Sequence, residues 1–134
     1  MIRRPPRSTL DRSSAASDVY KRQTINQLIL ESHETAKAKG WWDDPNRNIP
    51  ELLALIHSEV SEALESYRDH GKEGLSKVWS DEHDKPEGFT VELADVLIRI
   101  ADLCGEFELD LESAIKSKLS YNESRTYRHG GKKA

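Results

Sequence analysis

If the stretch from Val91 to Leu103 is helical, it has almost no polar face. Val91, Leu93, Ala94, Val96, Leu97, Ile98, Ile100, Ala101 and Leu103 cover nearly its whole circumference. A helix that is apolar all round is a buried helix. Its polar residues are Glu92, Asp95, Arg99 and Asp102, spaced three, four and three apart, so they form a single stripe. A charged stripe on a buried helix cannot simply face water unless the apolar remainder is covered elsewhere.

The preceding helix, read from Pro50 to about Asp69, sharpens the problem. Leu52, Leu55, Glu59, Glu62 and Ser66 lie along one stripe, flanked by Ile56, Val60, Ala63 and Tyr67. Glu59 therefore continues an apolar row. A buried carboxylate without a partner loses hydration or takes up a proton. Glu59-x-x-Glu62 and Glu92-x-x-Asp95 each place two acids one turn apart on one helix face. Four carboxylates converging between two helices make sense around a hard cation. All four are oxygen donors, which selects Mg²⁺, with Mn²⁺ as the alternative, over Zn²⁺. Such a centre suits phosphoryl chemistry. The competing reading is a solvated strip on an oligomeric bundle, in which Arg99 pairs with Asp95 and Asp102.

The rest of the chain reads as helices joined by polar connections. Thr24–Lys39 is the first helix, with Ile25, Leu28, Ile29 and Ala36 near one face and Gly40 as its stop. The segment from Gly40 through Trp41, Trp42 and Pro45 to Asn48 is a loop by its content. The connection from Gly71 to Gly88 is polar and has room for one short helical turn. The third helix runs from about Thr90 to Cys104 or Phe107. Asp110 resembles an N-cap for a fourth, Leu111 to about Arg125. No strand alternation stands out. The expected fold is all-α, an antiparallel four-helix bundle.

Residues 1–23 are set apart. They lack helical or strand periodicity. Ser13–Gln23 resembles a translated transposase-type library adapter, and Met1–Thr9 resembles a translated flow-cell adapter. The alternative is a basic, Ser-rich tail or transit peptide. Residues 24–134 then form one domain of 111 residues. The whole chain carries −4 and residues 1–23 carry +4, which leaves −8 on the domain. An acidic domain is a poor partner for a nucleic-acid polymer, and the apolar runs are too short to span a membrane. Cys104 is the lone cysteine, so an internal disulfide is impossible and a reducing, cytoplasmic compartment is expected.

The segment ELLALIHSEVSEALES followed by VELADVLIRIADLC resembles the MazG-like all-α nucleoside triphosphate pyrophosphohydrolases, whose signature is E-x-x-E, a spacer, then E-x-x-D. Here 29 residues separate Glu62 from Glu92, toward the long end for that family. The closing KLSYNESRTYRHGGK also resembles the end of such domains. The resemblance covers nearly all of Thr24–Lys133. It implies hydrolysis of an NTP or dNTP between the α and β phosphates. Glu59, Glu62, Glu92 and Asp95 would hold Mg²⁺, and one of them would orient or deprotonate the attacking water. It further implies Lys118, Asn122 and Arg125 as phosphate contacts, spaced along one face of the fourth helix. For Lys118 and Arg125 the alternative is ordinary helix C-terminal charge favouring the macrodipole. Base recognition falls to the loop with Trp41 and Trp42 and to His33, with one Trp stacking on the base and the other sealing the core.

Rival readings differ in class. A di-iron bundle needs Glu-x-x-His on two helices, whereas Glu62 and Asp95 occupy the positions that would be His. A phosphoribosyl-ATP pyrophosphohydrolase-like enzyme shares the helices and the acids. A non-catalytic helical dimer would serve as an interaction module, but a pure scaffold has no reason to bury like charges. A single bundle of this size leaves apolar surface uncovered, so a homodimer or homotetramer is expected.

Overall fold

The computed structural model describes residues 24–126. The adapter-like segment 1–23 and the tail from 127 lie outside the described residues. The described chain is mostly helical: α1 is Ile25–Ala38, α2 Ile49–His70, α3 Phe89–Glu106 and α4 Leu111–Ser124. The connection between α2 and α3 holds a 3-10 turn, Lys72–Gly74, and a two-stranded hairpin, β1 Trp79–Ser80 and β2 Pro86–Glu87.

Three of the four helices begin where a side chain provides a cap. The Thr24 hydroxyl accepts from the Gln27 N–H at 3.1 Å, while the Gln27 side chain accepts from the Thr24 N–H at 2.9 Å, a reciprocal capping box. The Asn48 side chain accepts from the Glu51 N–H at 2.9 Å, with Pro50 in the first turn of α2. Asp110 accepts from the Ser113 N–H at 3.1 Å at the start of α4. That bond holds the Asp110 carboxyl below the usual carboxylate range.

The hairpin departs from the sequence expectation of no strands. Its antiparallel register pairs Trp79 with Glu87 and Ser80 with Pro86. Two-residue strands are too short to carry an alternating pattern, so periodicity could not announce them. Backbone bonds from the Asp81 N–H to the Lys85 carbonyl and from the Asp84 N–H to the Asp81 carbonyl close the turn between them, and one side chain reinforces it. The exposed Asp81 carboxylate accepts from the backbone N–H groups of His83 at 2.7 Å and Lys85 at 2.9 Å, and these bonds lower its pKa. The Trp79 ring packs on His70 with ring centres 4.9 Å apart, which ties the hairpin to the end of α2.

The apolar α3 forms the spine. It packs extensively against both α1 and α2, while α4 lies lightly along α1. Among the described residues, the buried hydrophobic ones are Leu52 and Ala63 on α2 and Ala101 and Cys104 on α3. Gly105 lets α3 approach α1 closely, since a Cβ there would stand 2.6 Å from the His33 Cβ. Large apolar side chains stay exposed: Leu53, Val60, Leu64 and Tyr67 along α2, and Leu93 and Leu97 on α3. Among the described residues, no helix is long and apolar enough to cross a membrane.

Candidate functional site

A cleft of about 900 Å³ opens over α3 and is lined by α1, α2, α3, the loop after α1 and the hairpin. Carboxylates crowd one part of it. Glu59, Glu92 and Asp95 each offer an oxygen, and these oxygens all lie within 4.8 Å of one another. Glu62 lines the same cleft but stands outside that tight group. The stripe geometry accounts for the convergence: helices α2 and α3 pack side by side, and each projects its pair of acids into the shared groove.

The electrostatics are those of crowded, partly dehydrated acids. The Glu92 carboxyl is pushed up by desolvation, then by Asp95, Glu59 and Glu62. The Asp95 carboxyl is also pushed up, by desolvation first and then by Glu59, with Arg99 and Lys85 acting in the opposite direction. A six-coordinate hard cation holds oxygens at about 2.0–2.1 Å, so opposite ligands stand about 4.2 Å apart. A group spanning 4.8 Å needs only a small side-chain adjustment to meet that geometry. The donor set thus fits an oxygen-ligated cation, whatever its identity.

Arg99 does not pair along its own helix. Its Nε–H donates to Glu59 Oε1 at 2.9 Å, across from α3 to α2. Pairing with Asp95 and Asp102, as the solvated-strip reading expected, is not what forms. Asp102 is occupied elsewhere. It is buried, with 8% of its surface exposed, and its Oδ1 accepts from the Trp42 Nε1–H at 2.8 Å and from His33 Nδ1 at 2.9 Å. The other His33 nitrogen lies 3.3 Å from Glu106 Oε1. Two acids therefore flank one imidazole between α1 and α3.

The two adjacent tryptophans part ways. Trp42 is fixed by Asp102 and meets His33 and Phe107 edge-on, with ring centres 5.9 and 6.2 Å apart. Arg47 stacks over its ring at 4.4 Å and donates to the Trp41 carbonyl at 3.0 Å. The Trp41 side chain, 63% exposed, lines the cleft. His33 serves Asp102 and is not among the cleft-lining residues, so it reaches that space only through its partner.

The fourth-helix trio lies apart from this cleft. Lys118 and Arg125 flank the Tyr121 ring on α4, 5.0 and 5.4 Å from its centre. Neither they nor Asn122 line the cleft; its basic lining is Arg47, Lys85 and Arg99. Sequence reading missed Arg47 and Lys85, which sit in a loop and a hairpin where periodicity gives no signal. Lys85 carried one: it lies four residues after Asp81, which the turn chemistry marks as a fold-back.

No family model, curated protein or solved structure matches the chain.

Proposed function

We propose that this protein is a Mg²⁺-dependent pyrophosphohydrolase that converts a nucleoside or deoxynucleoside triphosphate to the monophosphate and pyrophosphate, in the manner of the MazG-like enzymes it resembles. The observation that carries this reading is the mutual approach of Glu59, Glu92 and Asp95 in a cleft that also holds an exposed tryptophan. A structural scaffold gains nothing from three acids facing one another, two of them with raised pKa values.

In this reading Glu59, Glu92 and Asp95 hold the ion, with Glu62 completing the set from the next turn of α2. Mn²⁺ is the alternative occupant. The bound ion would offset charge developing on the phosphates and acidify a water. The chain's own residues do the rest. Trp41 offers a face on which a base stacks, and Lys85 supplies a positive charge near Asp95 for the phosphates. Trp42, His33 and Asp102 hold the base end of the cleft in shape. Lys118, Asn122 and Arg125 would act on phosphate only in an assembly that brings α4 to a cleft.

The same reading makes the enzyme an oligomer of four-helix bundles. Leu53, Val60, Leu64 and Tyr67 are spaced seven, four and three apart and so share one exposed face of α2, and Leu93 and Leu97 of α3 are exposed as well. Among the described residues the buried hydrophobic ones are Leu52, Ala63, Ala101 and Cys104, a small core. A homodimer or homotetramer covers that face. The lone Cys104 is buried and free, which suits a cytoplasmic enzyme.

A panel of natural and oxidised NTPs and dNTPs, assayed for pyrophosphate release with Mg²⁺, tests the activity. At least one substrate should turn over. Pyrophosphate release from none of them, or undiminished turnover by Asp95→Asn, overturns the proposal.

A further inference from the structure

We propose that Arg99 is a tethered cation that competes with the metal ion for Glu59, and that it passes from Glu59 to a phosphate oxygen when ion and triphosphate bind together. This inference rests on the pyrophosphohydrolase reading above. It adds a residue that links the two halves of the ligand.

Three observations carry it. First, the Arg99 Nε–H sits 2.9 Å from Glu59 Oε1, and Glu59 belongs to the tight carboxylate group. An ion held by that group and a guanidinium held by the same carboxylate are like charges on one ligand, so each weakens the other. Second, Arg99 has somewhere else to go. Its side chain is 35% exposed and lines the same cleft as the acids. Third, the hydrogen bond to Glu59 uses Nε; among the described residues the two terminal nitrogens make no hydrogen bond. Those nitrogens are the donors that meet phosphate oxygens in a fork, which a lysine cannot copy.

A structural strut would behave differently. If Arg99 merely braced α2 against α3, removing it would loosen Glu59 and weaken ion binding. If Arg99 competes, removing it frees Glu59 and strengthens ion binding, while triphosphate loses a donor. The two roles predict opposite signs for the same measurement.

The experiment uses the full chain and two probes, Mn²⁺ alone and inorganic tripolyphosphate in the presence of Mn²⁺. Mn²⁺ binding is followed by electron paramagnetic resonance of the free ion, and tripolyphosphate binding by calorimetry. Arg99→Gln should bind Mn²⁺ alone about fivefold more tightly than the unchanged protein, the scale of a partly exposed ion pair, and bind tripolyphosphate more weakly. Arg99→Lys keeps the charge and should leave binding of Mn²⁺ alone near the unchanged value, while it too loses tripolyphosphate affinity. Equal or weaker Mn²⁺ binding by Arg99→Gln, in a protein whose unchanged form binds Mn²⁺, overturns this inference and leaves the enzymatic reading standing. Failure of the unchanged protein to bind Mn²⁺ with or without tripolyphosphate overturns both.

Discussion

Arg99 reaches from α3 across to Glu59 on α2 at 2.9 Å, although Asp95 and Asp102 stand one turn to either side of it on its own helix. Helical spacing permits the local pairs, worth a few tenths of a kcal/mol at an exposed surface. The less hydrated setting between helices favours the longer-range partner. The four polar residues of the α3 stripe therefore take different roles. Glu92 and Asp95 join the acid group, Arg99 meets its edge, and Asp102 anchors the other end of the cleft.

Neutralising one acid of the group should separate activity from stability. Asp95→Asn is expected to lower Mg²⁺-dependent turnover at least a hundredfold, at or beyond the scale seen when outer-shell partners of a metal are lost. The same change removes a carboxylate that its surroundings disfavour in the ionised form. Without divalent ions at pH 7, the variant should melt at a higher temperature than the unchanged protein. Calorimetry with and without Mg²⁺ checks the stability half, and pyrophosphate release the activity half.

The raised carboxyls also fix a pH signature. Glu92 and Asp95 titrate above their ordinary values of 4.5 and 3.8 in the folded chain. Between those values and the raised ones, the folded state binds more protons than the unfolded state. Their contribution therefore makes metal-free stability fall as pH rises through that window, and the penalty persists above it. Asp81 and Asp110 have lowered values, so their contributions are present above 3.8 and lost as pH falls below it. Metal-free melting temperatures, measured against pH for the unchanged protein and Glu92→Gln, should differ most near neutrality and converge on acidification.

Trp41 and Trp42 should respond differently to truncation. Trp41→Ala removes an exposed ring from the cleft. It should raise KM for the best substrate by about tenfold, within the 1–3 kcal/mol of a base stack, with kcat and melting temperature little changed. Trp42→Ala strips Asp102 of a donor and Arg47 of the ring it stacks on. Its expected cost is about 3 kcal/mol or more of stability, read by urea denaturation.

Asp102→Ala should be costlier than Asp102→Asn. The alanine leaves the Trp42 indole N–H and His33 without their shared acceptor in a buried setting, at about 1–3 kcal/mol for each stranded group. The asparagine keeps a carbonyl oxygen that can still accept. Urea denaturation of both variants should rank them in that order.

The exposed row on α2 is testable by charge. Leu64→Glu places a carboxylate in the middle of the row formed with Leu53, Val60 and Tyr67. Light scattering should report a smaller particle than for the unchanged protein. A monomer already present in the unchanged protein at micromolar concentration would remove the basis for the assembly.

How far the sequence reached depends on the range of each interaction. The caps at Asn48 and Asp110 and the stop at Gly71 are local, and the helix limits follow them within a residue or two. The acid stripes on α2 and α3 are also local, as properties of a single period. Which residue faces which across the groove is not: His33 and Asp102 lie 69 positions apart, and Arg99 and Glu59 forty. Nothing in a one-dimensional pattern chooses between Asp95, Asp102 and Glu59 as the mate of Arg99. Lys85 reached the cleft through a turn built on Asp81, a device of five residues too brief to show a period.

The contact between Gly105 and His33 carries one last consequence. The imidazole that steadies Asp102 hangs from α1 directly over a residue with no side chain on α3. A methyl group at that point would stand 2.6 Å from the His33 Cβ, so the two helices would have to shift apart and strain the bond from His33 to Asp102. The approach of α1 to α3 at this point is thus set by one missing carbon atom, outside the carboxylate group. Gly105→Ala should therefore cost stability, read by urea denaturation, without altering any residue that lines the cleft.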